Sequence, residues 1–235
     1  MSRLFAAIVV CAATLVGASS ANATTISFTD GTFALADYSI TSYKSSPLVN
    51  VTVTECASCG DPGTALDFVV NDSGSAGETT ANAVINNSFT YDPLLSGPIS
   101  SRGIDASVDK YLIFAGATNV FRPTIEQDGQ FYLAAIVGPS DQTGYDLFSG
   151  TALNATDFVS FDFTTGAFGT TNPNFAGDPM SFGLTQFFTL FGGTAEARYD
   201  NLNITVNPVP EPTSLLLLGS GLIGAVVRRR RSRSR

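Results

Sequence analysis

The chain contains no histidine and no tryptophan among its 235 residues. Without histidine, a Ser-His-Asp hydrolase, a papain-like protease and a His-ligated zinc site are all excluded. The lack of tryptophan removes the commonest platform on which sugar rings stack, although tyrosine and phenylalanine can take its place. The sequence therefore predicts a protein that is not an enzyme.

The N-terminal 23 residues have the pattern of a secretory signal peptide. Arg3 supplies a positive charge, residues 4–16 form an apolar run, and Ala21-Asn22-Ala23 is a small-x-small cleavage site. We expect cleavage between Ala23 and Thr24. The Sec translocon and a signal peptidase are the partners that this segment predicts.

The C-terminal 28 residues consist of three parts in a fixed order. A proline-rich motif, Val209-Pro210-Glu211-Pro212, is followed by an uncharged apolar segment over residues 213–227. Fifteen helical residues span roughly 22 Å, less than the ~30 Å hydrocarbon core of a bilayer. The basic end begins with Arg228, Arg229, Arg230 and Arg231 and is a stop-transfer signal that favours a single membrane helix.

These three parts resemble a PEP-CTERM sorting signal of Gram-negative bacteria, with Pro210, Glu211 and Pro212 as the motif. The resemblance implies recognition by an exosortase, a transpeptidase-like membrane enzyme that cuts near the motif. We expect the protein to be held briefly in the inner membrane and then moved to the cell surface or the extracellular matrix. An ordinary C-terminal anchor is the alternative.

The two ends leave a body of residues 24–207, which has the size of one domain. Seven of the twelve basic residues and one of the twenty acidic residues lie in the ends, so the body carries a net charge of −14. Such a surface repels nucleic acid, and we expect no nucleic-acid partner.

Two of the three cysteines, Cys56 and Cys59, lie in the body as a CxxC pair. A zinc site needs two more soft ligands, which the body lacks, and a thioredoxin-like motif needs a strand followed by a helix. Here the pair follows the β-like residues 51–54 and precedes a Gly-Asp-Pro-Gly turn. In an exported chain we expect a short-loop disulfide that tightens the tip of a hairpin.

The body is predicted to be all-β. Short β-rich runs are separated by clusters of Gly, Asp, Asn, Pro and Ser, and no window shows a helical period. The clearest hairpin is 121–137, with Asp128-Gly129 as a type I′ turn. The phenylalanines around Phe158–Phe163 and Gln186–Phe191 are expected to form the core. The predicted strands are 25–29, 33–42, 50–55, 64–71, 81–90, 99–105, 111–115, 120–127, 130–137, 158–162, 182–191 and 195–206.

Strands of this length and number predict a two-sheet antiparallel β-sandwich. The aromatic-Asp-Asn pattern in Tyr199-Asp200-Asn201-Leu202 resembles the closing strand of bacterial jelly-roll domains of the lectin type, and Ile26–Gly31 resembles their first strand. The resemblance implies that the first and last strands are neighbours. It also implies a structural calcium between them, for which Asp30 and Asp200 are the candidate ligands.

Two alternatives to a non-enzymatic matrix protein remain. One is a lectin-like module that binds extracellular polysaccharide, with or without calcium. The other is a glycoside hydrolase, which needs facing carboxylates, and for which the pairs Asp157 with Asp162 and Asp105 with Asp109 are candidates.

Overall fold

The computed structural model describes residues 24–74, 77–134 and 144–209. The predicted signal peptide, Pro210–Pro212, the predicted membrane helix and the arginine-rich end lie outside the described residues. A compact unit extends over Thr25–Pro208. In the described part of the chain, no helix combines the length and the apolar character needed to cross a membrane.

The body is all-β, and every strand pairing is antiparallel. The strands are β1 (Ile26–Asp30), β2 (Tyr38–Lys44), β3 (Val49–Gly60), β4 (Gly63–Asp72), β5 (Thr79–Tyr91), β6 (Ile99–Gln127), β7 (Gln130–Ala134), β8 (Asp146–Leu153), β9 (Phe158–Asp162), β10 (Ala167–Phe168) and β11 (Met180–Pro208). A one-turn helix, α1 (Pro93–Ser96), and 3-10 turns at Leu35–Asp37 and Ala155–Asp157 complete the described elements.

Two long strands, β6 and β11, pair with each other along most of their length and take part in both sheets. The first half of β11 pairs with the second half of β6, from Met180 opposite Gln127 to Leu190 opposite Ala117. The register then shifts between Leu190 and Ala195, where Gly192 and Gly193 have φ angles of 88° and 90°. Because glycine adopts positive φ without steric cost, the chain can turn here from one sheet into the other.

The sheet on each side of this turn has its own neighbours. The first sheet has the strand order β2-β5-β11-β6-β7-β9-β10. The second sheet has the order β3-β4-β11-β6-β8, with β1 beside β11 beyond the end of β4.

The two sheets pack face to face, as aromatic contacts between them show. The Phe28 ring of β1 lies 5.8 Å from the Phe182 ring and 5.4 Å from the Phe89 ring, which belong to the first sheet. The Phe121 ring of the first sheet lies 6.1 Å from the Tyr199 ring of the second. The predicted two-sheet antiparallel sandwich is therefore confirmed, whereas the jelly-roll strand arrangement stays a prediction.

The sequence predicted several local features correctly. Gln127 pairs with Gln130 across a turn in which Asp128 and Gly129 both have positive φ, as a type I′ turn requires. Strand β9 spans the predicted residues 158–162. The predicted pairing of the first and last strands is present, with Ile26 opposite Val206.

Other strand predictions were wrong. Three separate strands were expected within β6 and two within β11, but each is one strand of 29 residues. Strand β8 was not predicted, and residues 33–37 form an irregular segment and a 3-10 turn instead of the start of a strand. The glycines at the sheet-to-sheet turn suggested loops, although hydrogen bonding to the neighbouring strand continues on both sides of them.

Candidate functional site

The outer surface of the second sheet carries a row of polar side chains on adjacent strands. Thr54 pairs with Asp67, Asp67 with Arg198, and Arg198 with Tyr111. The next residue of β11, Tyr199, is fully buried in the core. Because side chains alternate between the two faces of a strand, Arg198 and its partners point away from the core. We refer to Asp67, Tyr111, Tyr145, Glu196 and Arg198 as the tyrosine face.

Arg198 lies between two carboxylates of this face. Its Nη2 atom donates to Glu196 Oε1 at 2.9 Å, and its Nε atom lies 3.6 Å from Asp67 Oδ1. The longer distance is an ionic contact without a hydrogen bond. Both of these atoms, Arg198 Nε and Asp67 Oδ1, are buried and lack a hydrogen-bond partner among the described residues. The ionic contact between these two atoms is therefore the interaction that each makes within the face.

The electrostatics of the face centre on Asp67. Burial raises the pKa of its carboxyl group, the negative charge of Glu196 raises it further, and the positive charge of Arg198 opposes both effects. Two acids beside a single cation favour retention of a proton on Asp67.

Two tyrosines provide the aromatic part of the face. The rings of Tyr111 and Tyr145 are 5.6 Å apart with an interplanar angle of 56°. The Tyr145 hydroxyl donates to the backbone carbonyl of Cys59 at 2.5 Å. Burial, followed by the negative charge of Asp200, raises the pKa of Tyr145 to about 12. Both rings are partly exposed, and a half-buried tyrosine offers an apolar surface and a polar edge to a ligand.

The predicted cysteine pair lies at the edge of this face. Cys56 and Cys59 form a disulfide with Cα atoms 5.4 Å apart, near the tip of the β3–β4 hairpin. The amide of Asp61 donates to Asp200 Oδ2 at 2.6 Å. A Cβ atom at Gly60 would lie only 2.6 Å from the same oxygen, so glycine is required for this close approach.

The predicted calcium ligands do not fit a metal site. Asp30 Oδ1 accepts the amides of Thr32 and Phe33, and Oδ2 accepts the Tyr38 hydroxyl at 2.7 Å and the Asn86 side chain at 3.3 Å. Burial raises the pKa of Asp30, but these hydrogen bonds outweigh it and the net pKa is lowered. Within the described ranges, no three residues among His, Cys, Asp and Glu are grouped closely enough to hold an ion. The calcium site stays a prediction that this geometry does not favour.

The carboxylates considered for glycoside hydrolysis all act as hydrogen-bond acceptors for groups of the protein itself. Asp157, Asp162, Asp105 and Asp109 accept, respectively, the amide of Asn154, the amide of Thr164, the amide of Ala152 and the side chain of Asn201. Asp157 and Asp162 stabilise turns in this way, whereas Asp105 and Asp109 bind residues from distant parts of the chain, and both are structural roles. The absence of catalysis stays a prediction.

The outer surface of the first sheet is different, because it is apolar and is buried around Phe161, although Phe168 is 47% exposed. Phe161 is 1% exposed, and its ring contacts those of Phe163, Phe168 and Phe187 at 4.8, 4.9 and 5.3 Å. The Arg122 guanidinium lies 5.0 Å from the Phe168 ring and 5.3 Å from the Phe187 ring. We refer to these five residues as the phenylalanine face.

The turn between β9 and β10 covers part of this face. A Cβ atom at Gly166 would overlap the Tyr43 ring, and Gly166 has a φ of 73°. The Tyr43 ring in turn lies edge-on to that of Phe161, with 6.4 Å between centroids. The phenylalanine face is therefore a second, smaller core, as the sequence predicted for Phe158–Phe163.

Of the predicted sorting residues, only Val209 lies within the described part of the chain. It follows the end of β11 and is 42% exposed. The predicted roles of Pro210, Glu211, Pro212 and Arg228–Arg231 remain predictions.

Sequence reasoning missed the tyrosine face. The alternation in Ala195-Glu196-Ala197-Arg198-Tyr199 indicates that Glu196 and Arg198 share one surface. No local pattern indicates that Asp67 and Tyr111 lie on the neighbouring strands, because the register depends on pairings between distant parts of the chain.

Comparisons with known proteins identify the C-terminal region. The model of the PEP-CTERM protein-sorting motif matches residues 208–231. No curated protein matches the sequence.

Three solved structures are similar to this chain in fold. A family 11 carbohydrate-binding module from Clostridium thermocellum, in complex with a β-1,3-1,4-mixed-linked tetrasaccharide, is 10% identical with a TM-score of 0.47, covering 80% of this chain and 97% of the module. The CBM22-1 xylan-binding domain from Paenibacillus barcinonensis Xyn10C is 13% identical with a TM-score of 0.32, covering 82% and 99%. A β-1,2-glucanase from Parabacteroides distasonis is 13% identical with a TM-score of 0.41, covering 72% and 23%.

These TM-scores lie below 0.5, so no functional argument rests on the three likenesses. The family match is confined to the end of the chain, in agreement with the resemblance seen in Pro210-Glu211-Pro212. The chain carries a PEP-CTERM protein-sorting motif at residues 208–231, behind a two-sheet antiparallel β-sandwich.

Proposed function

We propose that this protein is exported, processed by an exosortase at its C-terminal motif, and delivered to the cell surface or extracellular matrix as a non-enzymatic β-sandwich. The observation that carries the proposal is the match to the PEP-CTERM protein-sorting motif at residues 208–231. The signal-peptide pattern of residues 1–23 supports export.

The position of the motif relative to the fold supports processing without unfolding. Strand β11 ends at Pro208, and Val209 is exposed directly beyond it. A proteolytic cut within or after residues 209–212 removes no strand from either sheet. The released body therefore keeps its core and its disulfide.

The experiment is a double substitution, Pro210→Ala with Pro212→Ala, in a strain that contains the exosortase. We expect the variant to remain in the inner membrane with its tail attached, while the control Pro47→Ala, which changes an exposed proline of the body, is processed normally. Normal processing and surface yield of the double variant would contradict the sorting proposal.

A second candidate function is binding of extracellular polysaccharide at the tyrosine face. Sugar-binding sites combine aromatic surfaces with a few placed polar groups. Tyr111 and Tyr145 provide the aromatic surface, and the partly exposed side chains of Arg198 and Glu196 are the polar groups beside it.

This second function is tested by applying residues 24–207 to a glycan array, with and without a calcium chelator. Binding that is lost in Tyr111→Ala and Tyr145→Ala but kept in Phe168→Ala, which alters the opposite surface, supports it. An array without signal for the unaltered protein contradicts it. A signal that the chelator removes would restore the calcium alternative.

A further inference from the structure

Tyr145 is positioned by a hydrogen bond to a residue on a distant strand of the second sheet. It immediately precedes β8, which is one edge strand of the second sheet, whereas Cys59 belongs to β3, which is the other edge strand. The hydrogen bond from the Tyr145 hydroxyl to the Cys59 carbonyl therefore joins the two edges. For this hydrogen bond to form, the tip of the β3–β4 hairpin has to extend across the strands that separate β3 from β8.

The contacts of the hairpin tip show how it is held in that position. The amide of Asp61 donates to the carboxylate of Asp200 on β11. The side chain of Asn201 donates to the Asp61 carbonyl at 3.2 Å and to Asp109 Oδ2 of β6 at 2.9 Å. The hairpin tip thus contacts Asp200 on β11, is linked through Asn201 to β6, and accepts the Tyr145 hydroxyl beside β8.

Asp200 and Asn201 can make these contacts because β11 is irregular at this point. The pairing between β11 and β6 shifts between Asp200 and Asn203, and Asn201 has a φ of 52°. Asparagine tolerates this left-handed conformation better than most residues. Asp200 is fully buried beneath the hairpin tip, so its carboxylate is committed to the contact.

We infer that the Cys56–Cys59 hairpin is the positioning element of the tyrosine face: the disulfide and Asp200 together hold Tyr145 against Tyr111, so the face is complete only in the oxidised protein. The inference rests on the proposed polysaccharide binding for its biological meaning. Cys56 and Cys59 act by positioning the Cys59 carbonyl, which accepts the Tyr145 hydroxyl, and are not proposed to contact the ligand.

The redox step is a simple thiol–disulfide exchange. In the cell, a disulfide-bearing oxidant outside the cytoplasm accepts two electrons and two protons from the Cys56 and Cys59 thiols as the S–S bond forms. In the test tube, dithiothreitol reverses the reaction: its two thiols become a cyclic disulfide, and both cysteines become thiols. A site controlled in this way is inactive before export and active after it.

The first measurement needs no ligand. The chain has seven tyrosines and no tryptophan, so phenolate absorbance during a pH titration reports tyrosines alone. Tyr145→Phe identifies the step that belongs to Tyr145, whose pKa is raised to about 12 in the intact protein. Loss of the hairpin contact would expose the phenol to water and move it away from Asp200, which are the two main causes of the raised pKa. We therefore expect this pKa to fall toward about 10 in Cys56→Ser with Cys59→Ser and in dithiothreitol-treated protein.

Asp200→Asn provides a variant with the disulfide intact. We expect the pKa of Tyr145 to fall in this variant, but loss of the Asp200 charge lowers that pKa directly. Asn201→Gly, which removes the contact to the Asp61 carbonyl without changing the charge, therefore decides whether the hairpin tip positions Tyr145, and the same fall is expected there. Asp128→Asn, at an exposed acid in the β6–β7 turn of the first sheet, is the control and is expected to leave the Tyr145 titration unchanged. All variants are measured on the exported, purified protein.

The second measurement is binding of cellotetraose, xylotetraose and laminaritetraose. For any of the three that the oxidised protein binds, we expect reduction to weaken binding by about tenfold or more. An unchanged Tyr145 titration in both the cysteine and Asn201 variants overturns the positioning role. If the titration shifts as expected but a bound sugar is insensitive to reduction, the redox control of binding is wrong. If no sugar on the glycan array binds, the proposed binding function fails while the titration still decides the positioning role.

Discussion

The two outer surfaces of the sandwich both contain aromatic residues, but they differ in what surrounds the rings. On the phenylalanine face, Phe161 is packed among other phenylalanines and is 1% exposed. On the tyrosine face, Tyr111 and Tyr145 are partly exposed and lie beside Arg198 and its two carboxylates. Aromatic content alone therefore does not distinguish a core from a binding surface.

The difference between the faces has a physical cause. A phenylalanine has no polar atom, so covering it with the β9–β10 turn removes apolar surface from water without leaving an unsatisfied group. Covering the tyrosine face would bury charges on Asp67, Glu196 and Arg198 at a large desolvation cost. We therefore expect substitutions on the first surface to change stability and substitutions on the second to change binding.

The largest effect is expected for Phe161→Ala. Loss of a buried phenylalanine costs about 3–5 kcal/mol of unfolding free energy, through lost transfer energy and a residual cavity. Chemical denaturation of residues 24–207 measures it, and Tyr111→Ala is the matched substitution on the other surface. Equal losses for the two variants would show that the two surfaces have the same role.

The next effect is expected for the disulfide. Replacing Cys56 and Cys59 by serine opens a loop of four residues, for which loop-closure entropy gives about 2 kcal/mol. For a domain of this size, that is a fall in Tm of about 4–8 °C. The tyrosine face should lose its Tyr145 contact, while the phenylalanine face, which the hairpin does not touch among the described contacts, is retained. A variant that fails to fold would show that the disulfide is required for the whole sandwich.

Smaller effects on the free energy of unfolding are expected for Arg122 and Arg198, and these effects should differ in their dependence on salt. Arg122→Ala removes a cation from two phenylalanine rings, with an expected loss of about 1–2 kcal/mol that changes little with salt. Arg198→Ala removes partly exposed ion pairs worth less than about 1 kcal/mol, and this loss should shrink as salt rises. Denaturation at low and high ionic strength tests the contrast. Equal salt dependence of the two variants would contradict it.

The smallest effect is expected for Asp67→Asn, and it depends on pH. The folded protein raises the pKa of Asp67, so it binds this proton more tightly than the unfolded chain does. Asp67 therefore makes its full contribution to the free energy of unfolding at pH values below its unfolded pKa of about 4. That contribution is lost as the pH rises through the higher pKa of the folded state. The variant should match the wild type in acid and be more stable by less than about 1 kcal/mol at neutral pH. A variant that is less stable at neutral pH would contradict the assignment.

The sequence predicted the features that depend on local chemistry. Asp128-Gly129 predicted its turn because both residues tolerate positive φ, and the run of phenylalanines over 158–163 predicted core side chains, of which Phe158 and Phe161 are buried. The spacing of Cys56 and Cys59 near a Gly-rich turn predicted the disulfide that the structure contains. Each of these inferences needed only a few neighbouring residues.

Features that depend on long-range pairing could not be read from the sequence. Side chains facing the core change from even to odd numbers in β11 between Leu190 and Ala195, and back to even numbers after Tyr199. These register shifts decide which side of the sheet Arg198 occupies, and they follow from β6 and β4 as much as from β11. The pairing of Arg198 with Asp67 and Tyr111 therefore emerged only with the fold.

Sorting through the C-terminal motif is the central claim, and the covalent ends of the mature protein test it most directly. Intact-mass measurement of protein recovered from the cell surface should show a chain that begins at Thr24 and ends upstream of Thr213, with the apolar segment and the arginines removed. Surface protein that still ends at Arg235 would contradict exosortase processing.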